Sequence, residues 1–201
     1  MKKVFIFWDN SNIFITAKKV AREKEGVDAY NKVRISFPAL LNLARANRPL
    51  EFAVAVGSIP PALREVWKKL EKSGVKLDLY ERGAQSRKEQ AVDEVLQVHM
   101  LRKALDYNGN SGVAVVLTGD GAGFLDGAGF HADLERMQKK GWGIEVLAWD
   151  RDCNDRFRKW AKQAGVFVRL EDFYESITFT ENYNGVIRPT KPLDLGRRLI
   201  V

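Results

Sequence analysis

Short apolar runs alternate along this chain with stretches that have the periodicity of helices. Six runs rich in β-branched and aromatic residues predict strands at residues 4–8, 52–56, 75–80, 113–117, 144–149 and 166–170. Between most of them, the spacing of apolar residues predicts helices at 11–25, 37–46, 62–72, 88–107, 132–139 and 155–163. Such strands, separated by helices, are typical of a parallel sheet covered on both faces. The pattern therefore predicts an α/β fold, a doubly wound three-layer α/β/α sandwich with a mostly parallel sheet.

The alternating pattern fades after about Thr178. We therefore predict one domain over residues 1–176, followed by an extended basic C-terminal tail at 177–201 that ends in Leu199, Ile200 and Val201. The tail is expected to pack on the domain or on a second copy of the chain, which would give a homodimer.

The apolar runs are too short to span a bilayer, so no membrane association is expected. Cys153 is the only cysteine, which excludes a disulfide framework and a cysteine-based zinc site. Together these features predict a soluble protein of the reducing cytoplasm.

Charge gives the first indication of a partner. The chain has 33 Lys and Arg against 26 Asp and Glu, a formal net charge of +7, and a pI near 9.5. A basic surplus favours polyanions, because binding releases their condensed counterions. Nucleic acid is therefore the favoured class of partner.

Aspartates directly follow three of the predicted strands: Asp9, Asp120 and Asp150. In open α/β sheets the functional site lies at the carboxyl ends of the strands. Each aspartate alone could cap a helix, but converging carboxylates repel one another unless a cation binds between them. Their hard oxygens favour Mg²⁺ or Mn²⁺. Asp93, near the start of an apolar helix, is either a further ligand or a charge that complements the helix dipole.

Three stretches resemble the signature blocks of the NYN domain family, which belongs to the PIN-like superfamily of metal-dependent nucleases. They are Phe7-Trp8-Asp9-Asn10-Ser11-Asn12-Ile13-Phe14, Ala91-Val92-Asp93 and Leu117-Thr118-Gly119-Asp120. The resemblance covers roughly residues 3–175. It implies a PIN-like, Rossmannoid sheet with the strand order 3-2-1-4-5. It also implies a ribonuclease that hydrolyses RNA phosphodiester bonds with Mg²⁺ or Mn²⁺.

The resemblance also implies roles for individual residues. By position, the metal ligands and catalytic acids would be Asp9, Asp93 and Asp120. Asn12 would orient them as a further catalytic residue, and Ser11 and Thr118 would orient the ligands or bind the substrate phosphate.

One position departs from the family pattern. Many relatives carry a fourth acid two residues after the aspartate of the fourth strand, where this chain has Ala122. Asp126, Asp150 or Asp152 could supply the missing carboxylate, and we include Asp150 among the predicted metal ligands. The alternative is a catalytically degenerate module that binds RNA without cleaving it.

Several residues near the predicted site are candidates for contact with RNA. Arg87 and Lys88 stand at the start of the acidic helix and can face a phosphate there. His131 follows the acidic loop at a helix start and could reach a substrate phosphate. Trp149 and Tyr80, near strand ends, could stack the bases of single-stranded RNA, although core packing is the ordinary role of both.

A third class of function is an aspartyl-phosphate phosphatase similar to the haloacid dehalogenase-like family. Asp9 would be its nucleophile, and Gly119-Asp120-Gly121 fits a later block of that family. The second aspartate of its first block is replaced here by Ser11.

RNA affinity does not distinguish the nuclease from the binding module, because both are expected to bind RNA. Metal-dependent cleavage does distinguish them.

Overall fold

The structure is a computed structural model that describes the backbone of residues 1–59, 64–81, 87–119 and 129–201, and the side chains of residues 1–57, 67–79, 94–119 and 129–201. The strands are β1 (Val4–Asp9), β2 (Val33–Ile35), β3 (Leu50–Ile59), β4 (Lys76–Glu81), β5 (Val113–Leu117), β6 (Gly143–Ala148), β7 (Val166–Arg169), β8 (Thr178–Asn182) and β9 (Gly185–Arg188). The helices are α1 (Asn10–Glu25), α2 (Ala29–Lys32), α3 (Phe37–Arg45), α4 (Arg64–Lys72), α5 (Arg87–Asp106), α6 (Phe130–Lys139), α7 (Asp155–Ala164) and α8 (Tyr174–Ile177). Within these described ranges, no helix is both long and apolar enough to cross a membrane.

β1 lies inside a six-stranded sheet with the order β4-β3-β1-β5-β6-β7, in which all neighbouring strands are parallel. The predicted α/β sandwich with a parallel sheet is confirmed. The strand order differs in detail from the expected 3-2-1-4-5, because the sixth predicted strand joins the sheet beyond the fifth. This strand, β7, pairs with β6 from Glu145↔Val166 to Ala148↔Arg169.

Helices cover both faces of this sheet, and every residue of β1, β5 and β6 is buried. Side chains alternate between the faces, as the pleat requires. Ile6 and Trp8 pack toward the layer of α1, α3 and α4, whereas Phe5 and Phe7 pack toward the layer of α5, α6 and α7. The first charged side chain of the central strand is therefore Asp9, at its carboxyl end.

A second, three-stranded antiparallel sheet has the order β2-β8-β9. Two of its strands lie in the segment 177–201, where the fading apolar pattern predicts an extended tail. Three of the four residues of β9 are exposed, so this strand has no apolar face that the sequence could reveal. Arg188 of β9 joins the sheet to α1, because it donates to Glu25 at 2.8 Å. Within the sheet it also donates to the Thr178 carbonyl of β8 at 2.9 Å.

A buried ion cluster anchors the last residues of the chain. Arg48 donates to both carboxylate oxygens of Glu145 on β6, at 2.6 and 2.7 Å, and Arg198 binds the same carboxylate. The backbone N–H of Val201 donates to it at 2.9 Å, and Arg198 also donates to the Leu43 carbonyl at 3.1 Å. The tail thus packs on its own domain, away from the carboxyl end of the sheet where Asp9 lies.

Candidate active site

The carboxyl ends of β1, β5 and β6 bring together the loops that carry several predicted site residues. β1 ends at Asp9, β5 is followed by Thr118 and Gly119, and β6 is followed by the turn Asp150–Asp152. Because β5 pairs in parallel with both β1 and β6, these loops meet at one edge of the sheet. We call this edge the carboxyl edge.

Asp9 is a buried carboxylate on the central strand of the carboxyl edge, with only 4% of the residue exposed. Its Oδ1 accepts a hydrogen bond from the backbone N–H of Asn12 at 3.0 Å and so caps α1. The hydroxyl of Thr118 donates to Oδ2 at 3.2 Å. Both oxygens are therefore oriented by the protein.

Asn12 connects the first turn of α1 to the loop after β5. Its Oδ1 accepts a hydrogen bond from the backbone N–H of Gly119 at 2.9 Å. The Gly119 carbonyl accepts one from the backbone N–H of Asn154 at 3.0 Å. Asn154 in turn caps α7 with its side-chain oxygen. Gly119 is thus held through both of its peptide groups, directly before Asp120.

Ser11 lies where α1 passes closely over β3. A Cβ atom added to Gly57 of β3 would come within 3.2 Å of Asn10 Cβ and 3.4 Å of Ser11 Oγ. Glycine therefore allows this close approach of the first turn of α1. No motif in the sequence points to Gly57, whereas Asn154, directly before a helix, is a recognisable cap signal.

The aspartates after β6 are held in ion pairs. Asp150 binds Arg158 at 2.6 Å and Arg169 at 3.5 Å. Asp152 binds Lys19 of α1. Both carboxylates therefore already have cationic partners from the protein.

His131 lies in the first turn of α6 and is buried. Its ring centroid is 4.5 Å from that of Trp160 and 5.9 Å from that of Phe157, both on α7. Burial lowers the pKa of His131, opposed by the Glu135 carboxylate 3.5 Å from Nε2 and reinforced by the charge of Arg156. The structure therefore places His131 between α6 and α7, in an environment that favours the neutral ring.

Trp149 belongs to the core. It is 1% exposed, and its Nε1 donates to the Ile13 carbonyl at 2.9 Å. Its ring is therefore not available to stack a base, and core packing is the role that the structure gives it. The side chain of Tyr80 lies outside the described residues.

Other predicted site residues also fall outside the described part of the structure. Asp120, Ala122 and Asp126 lie outside the described residues, as do the side chains of Arg87, Lys88 and Asp93. The backbone of the last three belongs to α5, which follows β4 and therefore starts on the side of the carboxyl edge. Further along, α5 packs against β1, with Leu96 in the same core as Phe5 and Phe7.

The donors at the carboxyl edge fit a hard divalent cation. The described part of the edge presents carboxylate, hydroxyl and amide oxygens, which Mg²⁺ and Mn²⁺ prefer. Among the described side chains, no three or more of His, Cys, Asp and Glu converge as a metal site. Of the three acids that the family resemblance implies as ligands, the described side chains include Asp9 alone.

The parallel sheet is covered by helices on both faces, and a buried aspartate lies at the carboxyl end of its central strand. These features define a Rossmann-like α/β protein with an acidic site at that edge. The profile of the NYN domain matches residues 3–171, and the chain belongs to the NYN domain family. The expected family is therefore confirmed. NYN domains are part of the PIN-like nuclease superfamily, whose members generally use divalent metals.

A solved structure has a similar fold. The crystal structure of VPA0982, a protein of unknown function from Vibrio parahaemolyticus, is 16% identical in sequence, with a TM-score of 0.59. The match covers 92% of this chain and 96% of that chain. At this identity the similarity supports the fold alone. No curated protein matches the chain.

Proposed function

We propose that this protein is a Mg²⁺- or Mn²⁺-dependent endoribonuclease that hydrolyses phosphodiester bonds of single-stranded RNA in the cytoplasm. The observation that carries the proposal is the buried Asp9 carboxylate at the carboxyl end of β1, oriented by Asn12 and Thr118. Membership of the NYN family and the net charge of +7 support RNA as the substrate.

Asp9, Asp93 and Asp120 would hold the metal ion. When bound, the ion would lower the pKa of a water molecule and neutralise charge on the phosphodiester oxygens. Thr118 holds the Asp9 carboxylate in one orientation, and Asn12 fixes the backbone that leads from β5 to Asp120. This preorganisation would keep the ligand oxygens in place before substrate arrives.

The proposed site has three carboxylates, without a fourth from Asp150. Asp150 binds Arg158 and Arg169, and a role as metal ligand would require it to leave both. We assign contacts with the substrate phosphates to Ser11, Arg87 and Lys88.

Two earlier expectations are left out of the proposal. His131 is buried between α6 and α7, so we assign it no contact with substrate. We propose no homodimer through the tail, because the end of the chain packs on β6 of the same molecule.

The test is cleavage of a labelled single-stranded RNA by the purified chain with Mn²⁺ or Mg²⁺, compared with Asp9→Asn and Asp120→Asn. Asn at position 9 keeps an acceptor for the cap of α1, so the fold should be retained. We expect both variants to lose cleavage and to bind Mn²⁺ more weakly by calorimetry, since each lacks a ligand charge.

The outcomes separate the remaining functions. Equal cleavage by wild type and both variants would identify a contaminating nuclease and contradict the proposal. RNA binding without cleavage by the wild type would favour the degenerate binding module, for which Ala122 in place of an acid is the supporting observation. We do not propose the phosphatase, because the family is that of the PIN-like nucleases.

A further inference from the structure

Trp160 on α7 differs from every other tryptophan of this protein. Of the five tryptophans, the other four are buried, whereas Trp160 is partly exposed. The Trp160 ring packs against His131 at a centroid distance of 4.5 Å. It also packs against Phe157, whose ring is nearly parallel to it at 6.2 Å. A supported indole with an accessible part can stack a flat ligand without reorganising its surroundings.

Two cations lie near this indole on α7. Arg156 is four residues before Trp160 and Gln163 is three after it, so both share its side of the helix. Lys159 precedes Trp160 directly and lies about 100° from it around the helix axis. Arg156, Lys159 and Gln163 are all exposed. We call these four residues the α7 face.

The charge of α7 favours an anion. The helix carries four cations and one acid in ten residues. Arg158 binds Asp150 and Asp155, whereas Lys159 takes part in no ion pair within the described ranges. A cation near a partly exposed aromatic ring can bind the phosphate and base of a single strand.

The α7 face starts beside the candidate active site. Asn154, which caps α7, donates its backbone N–H to Gly119 at 3.0 Å, one residue before Asp120. Trp160 is six residues further along, or about 9 Å along the helix axis. A strand held at the carboxyl edge could therefore continue over this face.

We propose that the α7 face is a subsite for single-stranded RNA, in which a base stacks on Trp160 while Lys159 and Arg156 contact the neighbouring phosphates. This inference rests on the proposed function, since it places RNA at the adjoining edge. The subsite would select single strands, because the bases of a duplex are stacked on one another and offer no free face to the indole.

The test measures binding of fluorescein-labelled single-stranded RNA by anisotropy, with EDTA present so that no metal-dependent cleavage occurs. Trp160→Ala should weaken binding about 5- to 150-fold, since stacking on an aromatic residue contributes roughly 1–3 kcal/mol per base. Trp160→Phe should restore most of the affinity, and neither change should alter the affinity for duplex RNA. Lys159→Gln should reduce the slope of log affinity against log salt by about 0.7.

Lys69→Gln is the matched control, because Lys69 is an exposed cation on α4, in the opposite helical layer. Full single-strand affinity in Trp160→Ala would overturn the inference, as would an equal loss for single and double strands. If Trp160→Ala does not fold, the tests are Lys159→Gln and quenching of tryptophan emission by RNA, which Trp160→Phe should abolish. An unchanged slope or persistent quenching would overturn the inference.

The assay also keeps the two proposals apart. Loss of binding in Trp160→Ala, combined with a wild type that never cleaves, would retain the subsite and reject the nuclease. Cleavage by the wild type with unchanged binding by Trp160→Ala would do the reverse.

Discussion

The carboxylate of Asp9 is oriented by the protein at both of its oxygens. The backbone N–H of Asn12 fixes Oδ1, and the hydroxyl of Thr118, one residue beyond the neighbouring strand, fixes Oδ2. The aspartate therefore caps α1 and is also presented at the carboxyl edge, so capping does not exclude the proposed role as a metal ligand. The hydrogen bond from Thr118 is the part that can be removed without disturbing the cap.

Thr118→Val should weaken Mn²⁺ binding about 10- to 100-fold, because the partners that orient a metal ligand contribute that much to affinity. Thr118→Ser keeps the hydroxyl and should bind Mn²⁺ nearly as the wild type does. Calorimetric titration of both variants with Mn²⁺ measures the difference. Equal affinity in Thr118→Val and wild type would show that Thr118 does not orient the site.

His131 should make the stability of the protein depend on pH. Burial lowers its pKa in the folded state below the ordinary 6.5, so the unfolded chain binds the proton more readily. The contribution of the neutral ring is therefore full above about pH 6.5 and is lost as the pH falls through the folded-state pKa. Urea unfolding at pH 7.5 and 5.5 should show a smaller loss for His131→Gln than for wild type. The same loss in both would contradict this assignment.

Individual residues were predictable from sequence where the motif and the strand pattern coincide. Asp9 and Thr118 follow directly from strands, so the parallel sheet alone brings them together. Asp150 also follows a strand, but its ion pairs come from Arg158 and Arg169, and no sequence pattern reveals which cation folds back onto which acid. Trp160 was missed because a tryptophan in a helix looks the same whether or not neighbours cover it.

At the scale of elements, the loop after β5 depends on its neighbours on both sides. Asn12 from α1 holds the N–H of Gly119, and Asn154 from the start of α7 holds its carbonyl. The position of Gly119 is thus set by two helix N-termini that flank it. This link between α1, the loop after β5 and α7 predicts that a change in the α7 cap alters hydrogen exchange at the Gly119 amide.

Asn154→Ala should remove the cap of α7, at a cost of about 1 kcal/mol in the free energy of unfolding. It should also increase the hydrogen-exchange rate of the Gly119 amide, measured by NMR without metal. Asn154→Asp retains a capping oxygen and should resemble the wild type in both measurements. If Asn154→Ala lowers stability while exchange at Gly119 stays constant, α7 and the β5 loop are independent.

The six strands of the main sheet were predictable because each contains a short run rich in β-branched, aromatic or other apolar residues. The three-stranded sheet was not predictable from the sequence. β2 has three residues, and β9 is mostly exposed, so neither shows the periodicity that marks a strand. β8 and β9 are held in place by pairing and by the contacts of Arg188 rather than by a hydrophobic pattern of their own.

At the scale of the whole molecule, the buried cluster of Arg48, Glu145 and Arg198 connects the start of the main sheet to the end of the chain. Despite its burial, which raises it, the pKa of Glu145 is held below the usual range by the two arginines and by the N–H of Val201. The carboxylate therefore stabilises the fold above the ordinary pKa of glutamate. This contribution is lost as the pH falls through the lowered pKa.

Glu145→Gln should lower the free energy of unfolding by about 3–5 kcal/mol, because it leaves two buried guanidinium groups without a counter-charge. Urea denaturation measures the change. Glu51→Gln is a suitable control, since it breaks the solvent-exposed pair with Lys3 and should have little effect. A comparable loss in the two variants would mean that burial does not matter here.

The net charge of +7 predicts that the affinity of the whole molecule for RNA falls as the salt concentration rises. For single-stranded RNA, each neutralised phosphate contributes about −0.7 to the slope of log affinity against log salt, so four to six contacts give about −3 to −4. Arg87→Gln combined with Lys88→Gln should flatten this slope by about one to two without changing Mn²⁺ affinity, because both residues start the helix α5. Lys69→Gln with Lys72→Gln on α4 removes the same charge elsewhere and should leave the slope near that of the wild type. Equal flattening by the two pairs would mean that RNA responds to total charge. Unequal flattening in the predicted direction would locate the bound strand at the carboxyl edge.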